Sequence, residues 1–309
     1  RTRTKVAKLN TSSQNIVLEN GESIAYTELV LALGAELIRP PIAGDAAPEV
    51  FGVNDLDDYR HFRDYLAAKN AKRIVIIGAG LIGCEFANDL LNGGFEVEAV
   101  DPMGWCLPTL LPERAGRAVQ KALEFEGVIF HFGSLATHVN RAADGYSVTL
   151  NTGENLRADG VLCAVGVRPR TSLAEEAGLR INRGIKTDRF LRTSSKQIYA
   201  LGDCAEVSGH VLVYVAPLLA AAKSLARTLA GEPTEVIYPA MPVAIKTPAC
   251  PVVVSPPEKG AIGEWEYEGK SPDIKAIFKS PSGELMGFAL TGQAVKERMK
   301  LTRKLPDIL

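Results

Sequence analysis

Cysteines and long apolar runs are both scarce in this sequence. Its 309 residues include five cysteines, widely spaced and without a CxxC pair, which argues against a disulfide framework, a zinc ribbon and a vicinal redox pair. The longest apolar run, residues 211–222, contains Pro217 and is shorter than the roughly 20 residues that a membrane-spanning helix needs. We therefore expect a soluble protein of the reducing cytoplasm.

Net charge is also nearly absent. The chain has 35 Lys+Arg and 36 Asp+Glu, which give a formal net charge of -1 at pH 7. No overall basic field is available to attract nucleic acid or an anionic membrane, so a charged partner must meet a local patch. The four histidines are isolated from one another, and we predict no metal site.

Prolines and glycines divide the chain into segments. A hydrophobic content of 46% is sufficient for the packed cores of about two domains. Residues 1–34 predict short strands, and the pattern is then broken by Pro40, Pro41 and Gly44. Because the chain starts with Arg1 rather than Met, we expect it to begin partway through a larger protein.

One βαβ unit stands out in the sequence. An apolar strand at 73–77 leads into a GxGxxG turn, a helix at 81–91 and a second strand that ends at Asp101. The bare pattern also fits a glycine-rich packing turn, but this setting is typical of a helix N-terminus that binds a pyrophosphate. The predicted dinucleotide cradle consists of Gly78, Gly80, Leu81, Ile82 and Gly83.

Two acidic residues accompany this turn. Asp101 lies about 20 residues beyond the glycines, where a carboxylate binds the ribose 2′-hydroxyl of NAD. The residues that follow it, Pro102-Met103-Gly104, offer no Arg for a 2′-phosphate, so we expect NADH rather than NADPH. Glu85 has two interpretations: it complements the helix dipole, or it lies near the nicotinamide.

Three apolar strands end in glycine, at Gly34, Gly166 and Gly202, and the last is followed by Asp203. Together with the single dinucleotide fold, these strand endings resemble those of the FAD-dependent pyridine nucleotide-disulfide oxidoreductase superfamily. Within it the chain is similar to the bacterial rubredoxin reductases. The similarity runs through nearly the whole chain and is most specific in the segments 72–89, 164–171, 198–206 and, above all, the proline-rich 241–257.

The resemblance implies both fold and function. The fold would be α/β, with two Rossmann-like, three-layer dinucleotide-binding domains and a small C-terminal α+β domain. The enzyme would take a hydride from NADH onto FAD and pass single electrons to rubredoxin, in support of alkane hydroxylation or oxygen detoxification. No catalytic side chain is required, because the cofactors carry the chemistry. The FAD-binding residues implied are Gly34, Asp203, Pro217 and Lys246, and Gly166 is assigned to the NADH site.

The chain departs from the superfamily at one point. The FAD domain of these enzymes opens with its own GxGxxG motif, whereas this sequence has a single such motif. We therefore expect an incomplete FAD-binding domain, formed by residues 1–48 and 168–242, that lacks its N-terminal βαβ unit. Residues 49–167 are the predicted NADH-binding domain, and 243–309 the predicted C-terminal rubredoxin-reductase domain.

Two alternative functions stay open. An NADH-dependent ferredoxin reductase of an oxygenase system shares the fold and differs in its electron carrier. A non-catalytic NADH-binding fragment would show no flavin absorbance. Disulfide reductases are disfavoured, since no His follows His210 and CxxC is absent, and we interpret Cys204 as an inert buried thiol. Because rubredoxins are generally acidic, the expected docking surface is a basic face of the predicted final helix, 293–304, that carries Lys296, Lys300 and Arg303 or Lys304. The residues expected to pack on the other side of this helix are Val295, Met299 and Leu305.

Overall fold

The chain forms two compact units. The computed structural model describes all 309 residues. Unit 1 comprises Arg1–Glu36, Val167–Met241 and Asp307–Leu309, and unit 2 comprises Leu37–Gly166 and Pro242–Pro306. The three-domain division stays a prediction, because one compact unit can contain more than one domain.

Strands outnumber helices, and no helix is both long enough and apolar enough to cross a membrane. In chain order, the strands are β1 (Val6–Asn10), β2 (Asn15–Leu18), β3 (Ser23–Ala25), β4 (Leu29–Leu31), β5 (Ala35–Leu37), β6 (Arg73–Ile77), β7 (Glu96–Asp101), β8 (Ile129–Phe132), β9 (Ala136–Ala142), β10 (Gly145–Leu150), β11 (Asn155–Ala158), β12 (Gly160–Cys163), β13 (Val167–Pro169), β14 (Ile185–Thr187), β15 (Ile198–Ala200), β16 (Ala205–Val207), β17 (Val243–Ile245), β18 (Val252–Ser255), β19 (Glu264–Lys270), β20 (Asp273–Lys279) and β21 (Leu285–Thr291). The helices are α1 (Leu56–Ala68), α2 (Leu81–Asn92), α3 (Glu113–Glu126), α4 (Ser172–Glu176), α5 (Val215–Leu229) and α6 (Arg298–Thr302), with 3₁₀ turns at Ala47–Glu49, Gly202–Cys204 and Gly292–Glu297.

A four-stranded parallel sheet in unit 2 has the order β12-β6-β7-β8. Its strand β6 is buried on both faces, which explains the continuous apolar run of the sequence. Ile74 and Ile76 pack in one core with α2 and α3, whereas Val75 and Ile77 pack in another with the antiparallel sheet β9–β10–β11. Helices, parallel sheet and antiparallel sheet are thus three layers, as predicted.

The C-terminal part of unit 2 is an antiparallel sheet of five strands in the order β17-β18-β21-β20-β19. Residues of β18 and β20, such as Val252 and Ile274, share the core that also contains α2 and α3. The burial of β20 alternates along the strand, as expected for an antiparallel sheet with one covered face.

Unit 1 combines an antiparallel sheet, β1-β2-β3, with the two parallel strand pairs β4/β15 and β14/β16. Helix α5 contributes Ala221 and Leu225 to its core. This helix begins at Val215, two residues before the predicted start at Pro217. Proline is tolerated in a first helical turn, where its missing N–H has no intrahelical partner. The predicted mixed α/β architecture is confirmed.

The predicted final helix, 293–304, is broken into the 3₁₀ turn Gly292–Glu297 and the short helix α6. The Asp273 carboxylate accepts the Gln293 N–H at 2.7 Å and fixes the chain at the start of the turn. Met299, expected to pack inward, is 58% exposed. The exposed cations of this segment form what we call the C-terminal basic surface: Lys296, Arg298, Lys300, Arg303 and Lys304.

Candidate dinucleotide-binding sites

The glycine-rich turn between β6 and α2 is shaped by close packing at two of its three glycines. Gly78 has φ +109°, and a Cβ there would lie 2.7 Å from the Ala164 carbonyl oxygen. A Cβ at Gly83 would overlap the carbonyl oxygen of Gly78. Nothing lies within 4 Å of a Cβ at Gly80. The turn therefore needs glycine for its shape at Gly78 and Gly83 and leaves open space at Gly80.

The N-terminus of α2 faces this turn without a cap. Gly80 is the N-cap residue, it supplies no side-chain hydrogen bond, and the first turn contains no acidic residue. The first intrahelical bond runs from the Cys84 N–H to the Gly80 carbonyl, so the N–H groups of Leu81, Ile82 and Gly83 are available. Free N–H groups and the positive end of the helix dipole fit an anion such as the pyrophosphate of NADH.

Asp101 ends β7 directly beside the turn. Its side chain is 7% exposed, and its two oxygens accept the N–H groups of Ala79 (2.7 Å) and Met103 (2.8 Å). The carboxylate thus holds the turn and the loop after β7 in place. Each carboxylate oxygen has a second lone pair that can accept a ribose hydroxyl, and this predicted contact stays a prediction.

Two residues that the sequence assigned to different cofactors are in contact in unit 2. Glu85 is the fifth residue of α2, and its Oε1 accepts the Lys246 N–H at 2.7 Å. The Lys246 side chain is exposed.

Gly166, which follows β12 with φ +110°, accepts the Ile38 N–H through its carbonyl.

Asn88 was not identified from the sequence. It is 3% exposed, and its Oδ1 accepts the Ala249 N–H at 3.0 Å. The signal was available: Asn88 is a polar residue among the buried positions Cys84, Ala87 and Leu90 of α2, and buried polar groups require partners.

In unit 1 the predicted FAD residues lie at the carboxyl ends of the parallel strands β4 and β15. Gly34 has φ +69°, and Gly202, with φ +74°, begins the 3₁₀ turn that contains Asp203. A Cβ at Gly202 would lie 3.2 Å from Leu218 of α5. The strand end, the Asp203 turn and the start of α5 are therefore adjacent, which is the ligand-binding position of α/β sheets.

Asp203 is half-buried, and burial raises the pKa of its carboxyl. Its side chain has no hydrogen-bond partner in the structure. The nearby N-terminus of α5, which contains the buried Pro217, has Tyr214 as its N-cap residue and likewise no capping side chain. An unpaired acceptor suits a ligand with several hydroxyl groups, such as the ribityl chain of FAD. The uncapped helix N-terminus beside it suits negative charge, such as that which develops on the ring of FAD.

The five cysteines are all free and buried. Cys204 lies in the Asp203 turn, where its Sγ accepts the Leu33 N–H at 3.3 Å. Burial raises the pKa of the Cys204 thiol, which disfavours the reactive thiolate. This agrees with its interpretation as an inert thiol.

Comparisons with known proteins match both parts of the chain. Residues 1–224 match the pyridine nucleotide-disulphide oxidoreductase family, and residues 235–305 match the rubredoxin binding C-terminal domain. The rubredoxin-NAD(+) reductase of Alcanivorax borkumensis is 56% identical over 310 residues, which cover 100% of this chain and 80% of the relative. The enzyme of the same name from Acinetobacter baylyi is 45% identical, with 99% and 79% covered.

Among solved structures, a ferredoxin reductase from Rhodopseudomonas palustris aligns with a TM-score of 0.87 and 25% identity, covering 98% of this chain and 77% of its own. Putidaredoxin reductase, in its covalent complex with putidaredoxin, also aligns with a TM-score of 0.87, at 22% identity and with 98% and 76% covered. These structures share the fold. The chain belongs to the rubredoxin-NAD(+) reductases of the pyridine nucleotide-disulphide oxidoreductase family.

Proposed function

We propose that this chain is a rubredoxin reductase that transfers electrons from NADH through FAD to rubredoxin. The observation that carries the proposal is that one chain combines an uncapped glycine-turn helix suited to NADH with a region that matches a rubredoxin-binding domain. The overall reaction balances as one NADH and two oxidised rubredoxins giving NAD⁺, a proton and two reduced rubredoxins.

Bound FAD supplies the chemistry that converts a two-electron hydride into single electrons. The residues of the chain bind and orient the cofactors. We assign the dinucleotide pyrophosphate to the N–H groups at the start of α2, and the ribose hydroxyl to Asp101. The proposed NADH-binding residues are Gly78, Gly80, Leu81, Ile82, Gly83, Asp101 and Gly166. Glu85, the other residue predicted near the nicotinamide, instead has its carboxylate engaged by the Lys246 N–H.

The FAD-binding role is assigned to Gly34, Asp203 and Pro217 of unit 1, and the role predicted for Lys246, which lies in unit 2, stays a prediction. Asp203 would accept hydrogen bonds from the hydroxyls of a bound FAD, since its carboxylate has no other partner. The positive end of α5 would favour negative charge on the flavin ring. No side chain of the chain needs to act as a nucleophile.

Ferredoxin is the second candidate acceptor, because a ferredoxin reductase shares the fold with a TM-score of 0.87. The relatives with the higher identity, 56% and 45%, are named rubredoxin reductases, and this favours rubredoxin. We further propose a cytoplasmic location, supported by five free cysteines. Alkane hydroxylation or oxygen detoxification is the proposed downstream use of the electrons.

The test is a comparison of two carriers with the FAD-loaded protein. Flavin absorbance first establishes cofactor content, and stopped-flow absorbance then follows reduction of a rubredoxin and of a plant-type ferredoxin by NADH. We expect a kcat/KM for rubredoxin at least about tenfold higher. A preference for ferredoxin would reverse the assignment, and NADH binding without flavin reduction would favour a non-catalytic module.

A further inference from the structure

Two side chains of α2 hold the loop 246–250 by its backbone. The Glu85 Oε1 accepts the Lys246 N–H at 2.7 Å, and the Asn88 Oδ1 accepts the Ala249 N–H at 3.0 Å. Residues three apart on a helix are neighbours on one face, and the two donors in the loop are also three residues apart. We call this pair of contacts, both within unit 2, the α2 clasp.

The loop itself is closed by a turn. The Thr247 hydroxyl donates to the Cys250 carbonyl at 2.7 Å, and the Cys250 N–H donates to the Thr247 carbonyl at 2.9 Å. Thr247 is 1% exposed and Cys250 is fully buried. Because these two buried residues close the turn with their own hydrogen bonds, the clasp holds the loop as a unit rather than as two isolated atoms.

Beyond the loop the chain continues into the C-terminal sheet. The Gly292 N–H donates to the Pro251 carbonyl at 2.9 Å, and Val252 of β18 pairs with Thr291 of β21. The 3₁₀ turn that starts the C-terminal basic surface follows directly after β21. The loop therefore joins α2 to the sheet that carries this surface. The loop and the sheet lie within residues 235–305, the segment matched by the rubredoxin-binding domain.

We propose that Glu85 is a positioning residue for the rubredoxin-binding region. Through the Lys246 N–H, its carboxylate fixes the loop, and with it the sheet that follows, to the helix whose N-terminus forms the NADH cradle. The inference rests on the proposed function, because it assigns rubredoxin docking to this region. Glu85 acts here through the backbone of Lys246, which differs from a contact with the nicotinamide.

Two substitutions separate the hydrogen bond from the charge. Glu85→Gln keeps an acceptor oxygen within reach of Lys246 but loses the charge, whereas Glu85→Ala loses both. Gln and Ala are good helix formers, and Glu85 is only half-buried, so both variants should fold. Asp89→Ala is the matched control, since Asp89 is exposed on the same helix and its side chain has no hydrogen bond.

Amide hydrogen exchange of the full chain tests the clasp without any enzymatic turnover. In Glu85→Ala the Lys246 amide should exchange at least about tenfold faster, because it loses its acceptor. Glu85→Gln and Asp89→Ala should exchange at nearly the wild-type rate. An unchanged Lys246 rate in Glu85→Ala would overturn the clasp.

Kinetics of the FAD-loaded protein test the consequence. We expect the KM for rubredoxin to rise about three- to tenfold in Glu85→Ala and to recover in Glu85→Gln, with the NADH Kd and the ferricyanide rate unchanged. An unchanged rubredoxin KM overturns the positioning role. A higher NADH Kd in both Glu85 variants overturns the positioning role in favour of a direct contact between Glu85 and the nucleotide. If the wild type does not reduce rubredoxin, the proposed function fails, and the exchange result still decides whether Glu85 holds the loop.

Discussion

Replacing Asp101 by Asn should weaken both the glycine turn and the preference for NADH. The two Asp101 oxygens accept the N–H groups of Ala79 at 2.7 Å and of Met103 at 2.8 Å, and the side chain is 7% exposed. An Asn side chain offers a single acceptor oxygen, so one of these N–H groups would face an amide NH₂ group and lose its partner. The substitution therefore keeps the shape of Asp101 and removes one acceptor and the charge.

The magnitude follows from the burial of this site. A hydrogen bond to a charged group contributes about 1.5–3 kcal/mol, and a buried donor without a partner costs about 1–3 kcal/mol. We expect Asp101→Asn to lower the free energy of unfolding of unit 2 by about 2–4 kcal/mol. At the ribose, loss of the hydrogen bond to the charged group, about 1.5–3 kcal/mol, would reduce the NADH-over-NADPH ratio of kcat/KM by about 10- to 150-fold.

Tryptophan fluorescence during urea unfolding measures the first effect, because both tryptophans, Trp105 and Trp265, lie in unit 2. Steady-state kinetics of the FAD-loaded protein with each nucleotide measure the second. Glu96→Gln is the control, since Glu96 is an exposed acid on the same strand without a side-chain hydrogen bond. An unchanged unfolding midpoint would refute the structural role of Asp101, and an unchanged nucleotide ratio would refute its contact with the ribose.

Three further predictions concern the other proposed contacts. Gly83→Ala should destabilise unit 2 by about 1–3 kcal/mol in urea unfolding, since the new Cβ would overlap the Gly78 carbonyl. Gly80→Ala should leave the stability unchanged and weaken NADH binding in a titration. Asp203→Asn should raise the stability of the FAD-free protein in urea unfolding at pH 7, because burial raises the pKa of Asp203 and the charged form opposes folding. This gain should shrink as the pH falls below the raised pKa of the folded protein and vanish below the ordinary Asp pKa of the unfolded chain. Reversing the lysines of the C-terminal basic surface to Glu should slow rubredoxin reduction at low salt, less so at 1 M salt where charges are screened, and leave ferricyanide reduction unchanged.

The glycine turn could be predicted because its determinants are local. The strand before Gly78, the helix after it and the acid at the end of the next strand lie within about 30 residues, the length of one βαβ unit. The structure reproduces these elements as β6, α2 and β7. The pattern does not predict that Asp101 also accepts two backbone N–H groups, because both belong to irregular loop backbone.

The α2 clasp could not be predicted because its partners are distant in sequence. Both hydrogen bonds, which Glu85 and Asn88 accept, join residues 161 positions apart, and the periodicity of one segment does not predict such a contact. The final helix was predicted too long for a related reason. Its cations are spaced as on a helix, but the start of the segment is fixed by Asp273 of a separate strand.

The position of Glu85 along α2 makes both roles of this helix compatible. An acid in the first turn would occupy the positive end of the helix dipole and compete with the pyrophosphate for it, and α2 has none there. Glu85 lies one residue beyond that turn, and its carboxylate is engaged by the Lys246 N–H at 2.7 Å. The helix can therefore offer its free N-terminal N–H groups to an anion while an acidic side chain only one turn away binds the loop. Moving that acid into the first turn, as in Ile82→Glu with Glu85→Gln, should weaken NADH binding in a titration by at least about threefold while keeping the Lys246 amide protected.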